Sequence, residues 1–211
     1  MTASAAEAGC RVVVFARAPQ PGKAKTRLIP ALGETGAAAL HRRLVVHSLR
    51  AATDAQLGPV ELWCAPDAGD PFFRECERRF GVSLRSQGQG DLGARMLGAF
   101  EAALARASRA ILVGSDIPAL SAQYLRDAHR ALAGGDDVVI GPAEDGGYAL
   151  IGLSRCDPEL FRDIRWGGPQ VLAETRRRLT ALSLRSSELP VLWDVDRPED
   201  LERLPEGLRA R

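Results

Sequence analysis

The sequence predicts one α/β domain of Rossmann-like kind, built on a mostly parallel central sheet. Three observations predict it. Short β-branched apolar runs alternate with longer stretches of helical periodicity. The runs are apolar nearly throughout, as strands covered on both faces are. The chemically rich residues follow the runs instead of lying within them, as in open α/β sheets that bind ligands beyond the carboxyl ends of their strands. The 211 residues suffice for one domain with a sizeable core, placed at residues 10–211.

The elements follow in order. Residues 10–16 (CRVVVFA) read as a strand buried on both faces, and residues 17–30, rich in Pro, Gly and basic side chains, as a loop. Residues 34–52 carry apolar positions at helical spacing. Residues 60–64 (VELWC) form a second strand, residues 71–80 a short helix and residues 82–86 a third strand. Residues 92–107 are helical, with Leu92, Met96, Phe100, Ala103 and Leu104 on one face. Residues 110–113 form a buried strand ended by Gly114. Residues 121–133 form a helix capped by Ser121 and stopped at Gly134-Gly135. Strands at 137–140 and 148–153 are joined by a Gly-rich turn. A helix at 168–182, a last strand at 189–193 and a short helix at 198–204, with Pro198 in its first turn, complete the chain.

Bulk composition excludes several function classes. Acidic and basic residues nearly cancel, leaving a formal net charge of +1, whereas a nucleic-acid binder shows a basic excess or stripe. Arg176-Arg177-Arg178 lies in an amphipathic pattern that also carries acidic residues, and reads as a solvated helix face. No apolar run reaches the roughly 20 residues that span a bilayer. Residues 1–9 have neither a basic start nor a hydrophobic stretch, unlike a signal peptide, and read as a disordered lead-in. Cys10, Cys64, Cys76 and Cys156 form no C-x-x-C pair and fit no zinc spacing. Thiols of this kind suit a reducing cytoplasm.

Five segments follow strands. APQPGKAKTRL (residues 18–28) sets Gly22, Lys23, Lys25, Thr26 and Arg27 in one loop, and flexible backbone with three cations suits a polyphosphate. Ala16, at the end of the first strand, adjoins it. The segment is not a Walker A loop, because Arg17 stands where that pattern needs Gly. The alternative is a basic surface loop. In QGQGDLGAR (residues 87–95), Gln87, Gln89 and Asp91 can read a base or ribose edge, and Gly88 admits close backbone approach; the alternative is a turn with Asp91 capping the next helix. In GSDIPAL (residues 114–120), Asp116 stands just past a buried strand, where a carboxylate can hold a hard cation beside phosphate oxygens; the alternative is a turn former. GPAEDGGYALIG (residues 141–152) reads either as an acceptor-contacting loop or as a hairpin turn, Asp-Gly being a hairpin signal. In WDVDRPEDL (residues 193–201), Asp194 and Asp196 fall on one side of an extended chain and suit a divalent metal. The alternative makes Asp196 a helix cap and leaves Asp194 exposed.

Taken in order, FARAPQPGKAKTRL, GSDIPAL, GPAEDGGYALIGL, WGGPQV and DVDRPEDL resemble the radical-SAM/selenodomain-associated transferase family, over nearly the whole chain from Val12 to Leu204. That family is glycosyltransferase-like and similar to the nucleotide-diphospho-sugar transferases of GT-A fold. The resemblance implies a three-layer sandwich and a Mg²⁺- or Mn²⁺-dependent transferase. AKTRL and DVDRPEDL are also similar to guanylyltransferases acting on phospholactate or the molybdenum cofactor. Lys23, Lys25 and Arg27 would hold the phosphates of a nucleoside triphosphate or nucleotide sugar, and Asp116, Asp194 and Asp196 the metal. Lys25, Arg27 and Asp116 are the catalytic candidates. Asp145, Gly146, Gly147 and Tyr148 would face a small-molecule acceptor, with Trp166 as a further pocket wall. Many GT-A glycosyltransferases carry Asp-x-Asp after the central strand. Here Ser115-Asp116-Ile117-Pro118 supplies one carboxylate, which leans the chemistry toward nucleotidyl transfer. No protein nucleophile is needed or visible. His41, His47 and His129 lie in helical stretches without a visible partner and read as structural.

Overall fold

The computed structural model describes residues 9–209. The lead-in expected at residues 1–9 therefore lies outside the described residues, except Gly9. The Gly9 carbonyl accepts from the Arg109 amide at 3.2 Å, at the start of the sheet.

Seven strands form one sheet: β1 (Cys10–Arg17), β2 (Val60–Ala65), β3 (Ser83–Ser86), β4 (Arg109–Gly114), β5 (Val138–Pro142), β6 (Tyr148–Leu153) and β7 (Ser186–Glu188). Their spatial order is β3-β2-β1-β4-β6-β5-β7. β1 pairs in parallel with β2 and β4, β2 with β3, and β5 with β7. β6 alone runs antiparallel, between β4 and β5, because a short turn joins it to β5. The hairpin alternative for residues 141–152 is thus the local geometry. The succession of strands turns back between β1 and β4, with β2 and β3 added on one side of β1 and β4 on the other, and there a crevice opens at their carboxyl ends.

Helices α1 (Ile29–Asp54), α2 (Pro71–Phe80), α3 (Leu92–Leu104), α4 (Ala122–Ala133) and α5 (Val171–Ala181) cover both faces. The alternation along β1 shows why. Val12, Val14 and Ala16 join a core completed by α1, α2 and α4, with Leu49, Phe73 and Leu125 in it. Val13 and Phe15 join the opposite core, filled by Met96 and Phe100 of α3 and Leu172 and Leu179 of α5. A strand covered on both faces must be apolar at both parities, which is the pattern of VVVFA. The α/β/α three-layer sandwich expected from the sequence is the one observed. Ser121 caps α4 as expected, accepting from the Tyr124 amide at 3.1 Å, and the alternative for Asp91 is also met, its side chain accepting from the Ala94 amide at 2.8 Å. α1 is interrupted at Gly33, whose φ of 68° lies in the left-handed region, so its regular part starts at Glu34 as the periodicity predicts.

One element departs from expectation. The last strand is Ser186–Glu188, not residues 189–193. Pro190 lacks an amide hydrogen and interrupts the ladder. The chain still follows β5 on either side of it, the Leu189 amide donating to the Ile140 carbonyl at 2.8 Å and the Leu192 amide to the Pro142 carbonyl at 2.8 Å. Polar Ser186, Ser187 and Glu188 can serve because this is an edge strand, largely open to solvent.

A third apolar cluster decides where the charged residues go. Leu28, Ala37, Leu40, Leu44, Val195, Leu204 and Leu208 pack together beneath α1. Leu28 ends the basic loop and Val195 separates Asp194 from Asp196. Burying each such side chain stabilises by about 1.5–3 kcal/mol. With Leu28 and Val195 anchored inward, the charged side chains beside them are turned toward the crevice. No helix among the described residues is long and apolar enough to cross a membrane.

Candidate active site

The crevice between β1 and β4 is a cleft of about 490 Å³ lined by Arg17, Lys23, Ala24, Lys25, Thr26, Arg27, His41, Asp116 and Asp196. Four of these side chains are cationic Lys or Arg and two are carboxylates. Lys25 is its pivot. Its backbone is left-handed, with φ of 51°, and its ammonium turns inward, leaving the side chain 5% exposed. There Nζ lies 2.8 Å from Asp116 Oδ2 and also donates to the Val195 carbonyl. The Val195 amide returns a bond to the Asp116 carbonyl at 3.0 Å. Lys25 therefore ties the loop after β1 to the loop after β4 and to the C-terminal acidic segment.

The other oxygen of Asp116 faces His41. His41 Nδ1 lies 3.3 Å from Asp116 Oδ1, and neither atom has a hydrogen-bond partner. His41 Nε2 contacts the Arg17 carbonyl at 2.9 Å. Burial pushes the Asp116 carboxyl up, but Lys25 and then His41 outweigh it and hold the group well below the usual carboxylate range. Asp116 is thus an anion at neutral pH, with its side chain still 40% open to the cleft.

A second cleft, of about 390 Å³, shares Arg27 and Asp196 with the first and adds Glu144, Asp145, Gly167, Pro169, Asp194, Arg197, Asp200 and Arg203. Arg27 pairs with Asp196 across the boundary. Arg203 makes a bidentate pair with Glu144, both contacts at 2.8 Å, and lies over the Trp193 ring at 4.3 Å. Asp194 is pushed above the ordinary carboxylate value by burial and then by the neighbouring Asp145, partly offset by Lys25. Asp196 is not a side-chain cap for the turn at Pro198–Arg203. Asp200 takes that work, accepting from the Asp196 and Arg197 amides at 2.9 and 2.7 Å, so Asp196 stays available to the clefts.

Lys23, Lys25, Thr26, Arg27, Asp116 and Asp196 therefore come together, while Asp194 and Asp145 meet next door. Among the described residues no three His, Cys, Asp or Glu side chains are grouped closely enough to hold a metal ion between them. The three-carboxylate set expected from the sequence is divided between the clefts: Asp116 in the first, Asp194 in the second, Asp196 in both. Gly22, with φ of 75°, sits against the Glu34 carboxylate.

Gln87 turns inward. Its amide donates to the Ala16 carbonyl at 3.2 Å and the Trp63 carbonyl at 2.9 Å, so the donor end of this side chain clamps the ends of β1 and β2. Gly88 and Gly90, with φ of 79° and 95°, make the turn that follows, and Asp91 is occupied as the cap of α3. Asp145 accepts from the Gly147 amide at 2.9 Å and Gly146 donates to Ala143 at 3.1 Å, closing the turn before β6. Tyr148 and Trp166 meet edge to face at 6.4 Å and pack on the α3 side of the sheet, where the Trp166 indole abuts Gly93.

Sequence reasoning passed over Arg17 and Arg203 and read His41 as structural, while Glu144 lay beside Asp145 in the segment read as an acceptor loop or hairpin turn. For His41 a signal was present: it shares the helical stripe of Ala37, Leu44, Val45 and Ser48, and a polar ring on a buried stripe calls for a partner. For the Arg203–Glu144 pair, 59 residues apart, there was none.

The comparisons with known proteins agree with this architecture. The family model described as "Uncharacterized protein conserved in bacteria (DUF2064)" matches residues 48–168. A structure from Desulfovibrio desulfuricans G20, provisionally described as a nucleotide-diphospho-sugar transferase, is 33% identical. The match covers 90% of this chain and 83% of that one, with a TM-score of 0.81. A nucleotidyl transferase from Methanothermobacter matches at 17% identity over 95% and 97% of the two chains, with a TM-score of 0.63. CMP:2-keto-3-deoxy-manno-octonic acid synthetase complexed with CTP matches at 12% identity over 93% and 96%, with a TM-score of 0.57. The last two likenesses concern the fold. No curated protein matches the sequence.

Proposed function

The chain belongs to the family described as "Uncharacterized protein conserved in bacteria (DUF2064)", and from that premise we propose that it is a nucleotide-utilising transferase whose phosphate site is the basic cleft. The observation that carries the proposal is the Lys25–Asp116–His41 constellation at the carboxyl ends of β1 and β4, with further cations around it. Nucleotidyl transfer from a nucleoside triphosphate is the favoured reaction, since a single carboxylate follows β4. The second reading is glycosyl transfer from a nucleoside-diphosphate sugar, favoured by the likeness to the Desulfovibrio protein.

In either reaction the chain acts by positioning and electrostatics. Lys23 and Thr26 line the phosphate cleft from the loop, while Lys25 and Arg27 stabilise charge on departing pyrophosphate or nucleoside diphosphate. Ala16, Gly22, Gln87, Gly88 and Asp91 shape the nucleoside end: Gln87 by holding the ends of β1 and β2, the glycines by admitting backbone close to the ligand. The second cleft takes the acceptor, with Asp145 at its wall, Gly146 and Gly147 in the turn behind it, and Tyr148 and Trp166 supporting that wall. Asp116 and Asp196 face the same cleft as hard oxygen donors, and Asp116 Oδ1 is a buried atom without a hydrogen bond. Such a donor set fits Mg²⁺ or Mn²⁺ completed by phosphate oxygens, with Asp194 behind it. When bound, the ion supplies charge neutralisation and orientation of the phosphates. Placement in the radical-SAM/selenodomain-associated branch belongs to the same proposal, as does a cytoplasmic location, which suits four free cysteines.

The test is a thermal-shift panel of nucleoside triphosphates and nucleotide sugars, with and without Mg²⁺, followed by product analysis. Ligands that bind the folded state raise its stability. A Mg²⁺-dependent shift with one triphosphate and release of pyrophosphate supports nucleotidyl transfer. A shift with a nucleotide sugar and release of nucleoside diphosphate supports glycosyl transfer. Absence of any shift overturns the nucleotide-site reading.

A further inference from the structure

A cavity of about 360 Å³ opens on the outer side of α1, lined by Arg42, Arg43 and Arg50 of that helix, Arg79 of α2 and the C-terminal turn at Gly207-Leu208. No carboxylate lines it, and none of its residues lines either cleft. Positions 42, 43, 46 and 50 fall on one side of a helix, while Leu40, Leu44, Val45 and Leu49 bury the other. Packing of Leu208 against Leu40 and Leu44 brings the C-terminal turn to the rim. A second concavity shares Arg43 and Gly207 and continues to Arg209, with Glu206 as its one carboxylate.

Like charges gathered this closely repel unless anions answer them. In the other arginine cluster, on α5, they are answered: Arg176 pairs with Glu188, and Arg177 and Arg178 with Glu174. Here only Arg42 has a carboxylate, that of Glu75, and its guanidinium also lies over the Phe72 ring at 4.6 Å. Arg43 Nε donates to the Leu208 carbonyl at 3.0 Å, which holds the guanidinium in place and leaves its outer nitrogens free for a ligand. The guanidiniums of Arg50 and Arg79 have neither a hydrogen bond nor a carboxylate among the described residues, and Arg79 lies over the Phe80 ring at 5.2 Å.

We propose that this groove is a second anion site, built for a linear oligophosphate. A guanidinium presents a planar fork of donors that matches the oxygens of a phosphate in pairs. Arg43 and Arg50 leave α1 about 10 Å apart along its axis, at a rise of about 1.5 Å per residue. The forks are thus spread along a length, which suits several linked phosphates better than one. An inorganic chain and the tail of a nucleoside triphosphate share this chemistry. The proposal uses no residue of the clefts and stands or falls apart from the reading of them.

Calorimetric titration without divalent cations tests it, with tripolyphosphate as the probe and orthophosphate, citrate and ATP beside it. Lys23 and Arg27 also attract phosphate, so the groove is measured in a Lys23→Ala/Arg27→Ala background. Arg50→Gln and Arg79→Gln together remove the two unpaired guanidiniums; neither is tied to the fold, and an unchanged melting temperature without ligand checks that. The expected result is one tripolyphosphate per chain in the background protein, with orthophosphate and citrate weaker by about tenfold or more. Adding Arg50→Gln and Arg79→Gln weakens tripolyphosphate by about tenfold, the combined effect of two exposed ion pairs. ATP bound as tightly as tripolyphosphate supports a site that also takes nucleotide tails; ATP bound much more weakly supports one for the inorganic chain. Loss of all tripolyphosphate binding in the Lys23→Ala/Arg27→Ala background overturns the proposal and leaves the cleft reading intact. Affinity unchanged by Arg50→Gln and Arg79→Gln overturns it as well. So does citrate bound as tightly as tripolyphosphate, the mark of unspecific attraction between charges.

Discussion

Asp116→Asn keeps the shape of the side chain and removes its charge, and its consequences can be worked from the contacts. Lys25 Nζ, on a side chain 5% exposed, loses an ionic partner at 2.8 Å but keeps the Val195 carbonyl. A hydrogen bond to a charged group contributes about 1.5–3 kcal/mol. Asp116 is 40% open to solvent, so screening places the loss at the lower end, about 1.5 kcal/mol. For a chain of this length that lowers Tm by about 3–6 °C. The pH dependence has a definite sign. The folded-state pKa of Asp116 is depressed, so its contribution is fully present above the unfolded carboxylate value and is lost as pH falls through the folded one. The gap between wild type and Asp116→Asn should be constant from about pH 5 to 8 and narrow below about pH 4. Function should suffer far more than stability, because a preorganised charge aimed at a developing charge is worth about 100-fold or more in rate. Urea unfolding at several pH values and Mg²⁺-dependent turnover of the donor named by the thermal-shift panel measure the two effects. A folded Asp116→Asn protein with wild-type turnover and an unchanged Mg²⁺ requirement would refute the assignment. A stability gap that widened toward low pH would refute the electrostatic account.

Three further outcomes follow from other places in the fold. Glu61, 1% exposed in β2, pairs with Arg11 at 3.0 Å and Arg106 at 2.8 Å, and accepts from Trp63 Nε1 at 3.0 Å. Glu61→Gln leaves clustered guanidiniums without their anion and should cost about 3 kcal/mol in urea unfolding, with nucleotide-induced shifts unchanged. Asp194 is disfavoured as an anion by burial and by Asp145, so its folded pKa is raised and stability is lost as pH rises through it. Asp194→Asn should therefore be more stable than wild type at pH 7 and equal to it near pH 3, by thermal melts; a less stable variant at pH 7 contradicts this. Gly146 has φ of 87° and a Cβ there would lie 2.3 Å from the Pro169 carbonyl. Gly146→Ala should lower Tm by several degrees and, in turnover assays, raise the acceptor KM more than the nucleotide KM. Equal effects on both would argue against an acceptor role for that wall.

Local information settled the elements because their causes are local. The doubly apolar parity of VVVFA marks a strand covered on two faces, and Asp91 and Ser121 cap the helices they precede. The rule that ligands gather beyond strand ends picked out the loop from Lys23 to Arg27 and Asp116, which line one cleft. Some errors were local too, since Pro190 was in plain view where a last strand was expected and its missing amide moved the pairing to Ser186–Glu188. What a chain read in one dimension does not contain is which separated groups meet. Lys25 and Val195 are 170 residues apart, and their contact exists because the apolar cluster of Leu28, Leu40, Leu44 and Val195 draws both loops under α1. The same burial divides the expected carboxylates between two clefts and pairs Glu144 with Arg203. It also turns His41 from a residue of a helical stripe into a bridge between two strand ends. Periodicity and residue type thus determined the fold class and the end of the sheet where chemistry gathers. The partners of each charge were decided by tertiary packing, because pairing depends on distance through space, and that distance is set by hydrophobic side chains remote in sequence from the charges they position.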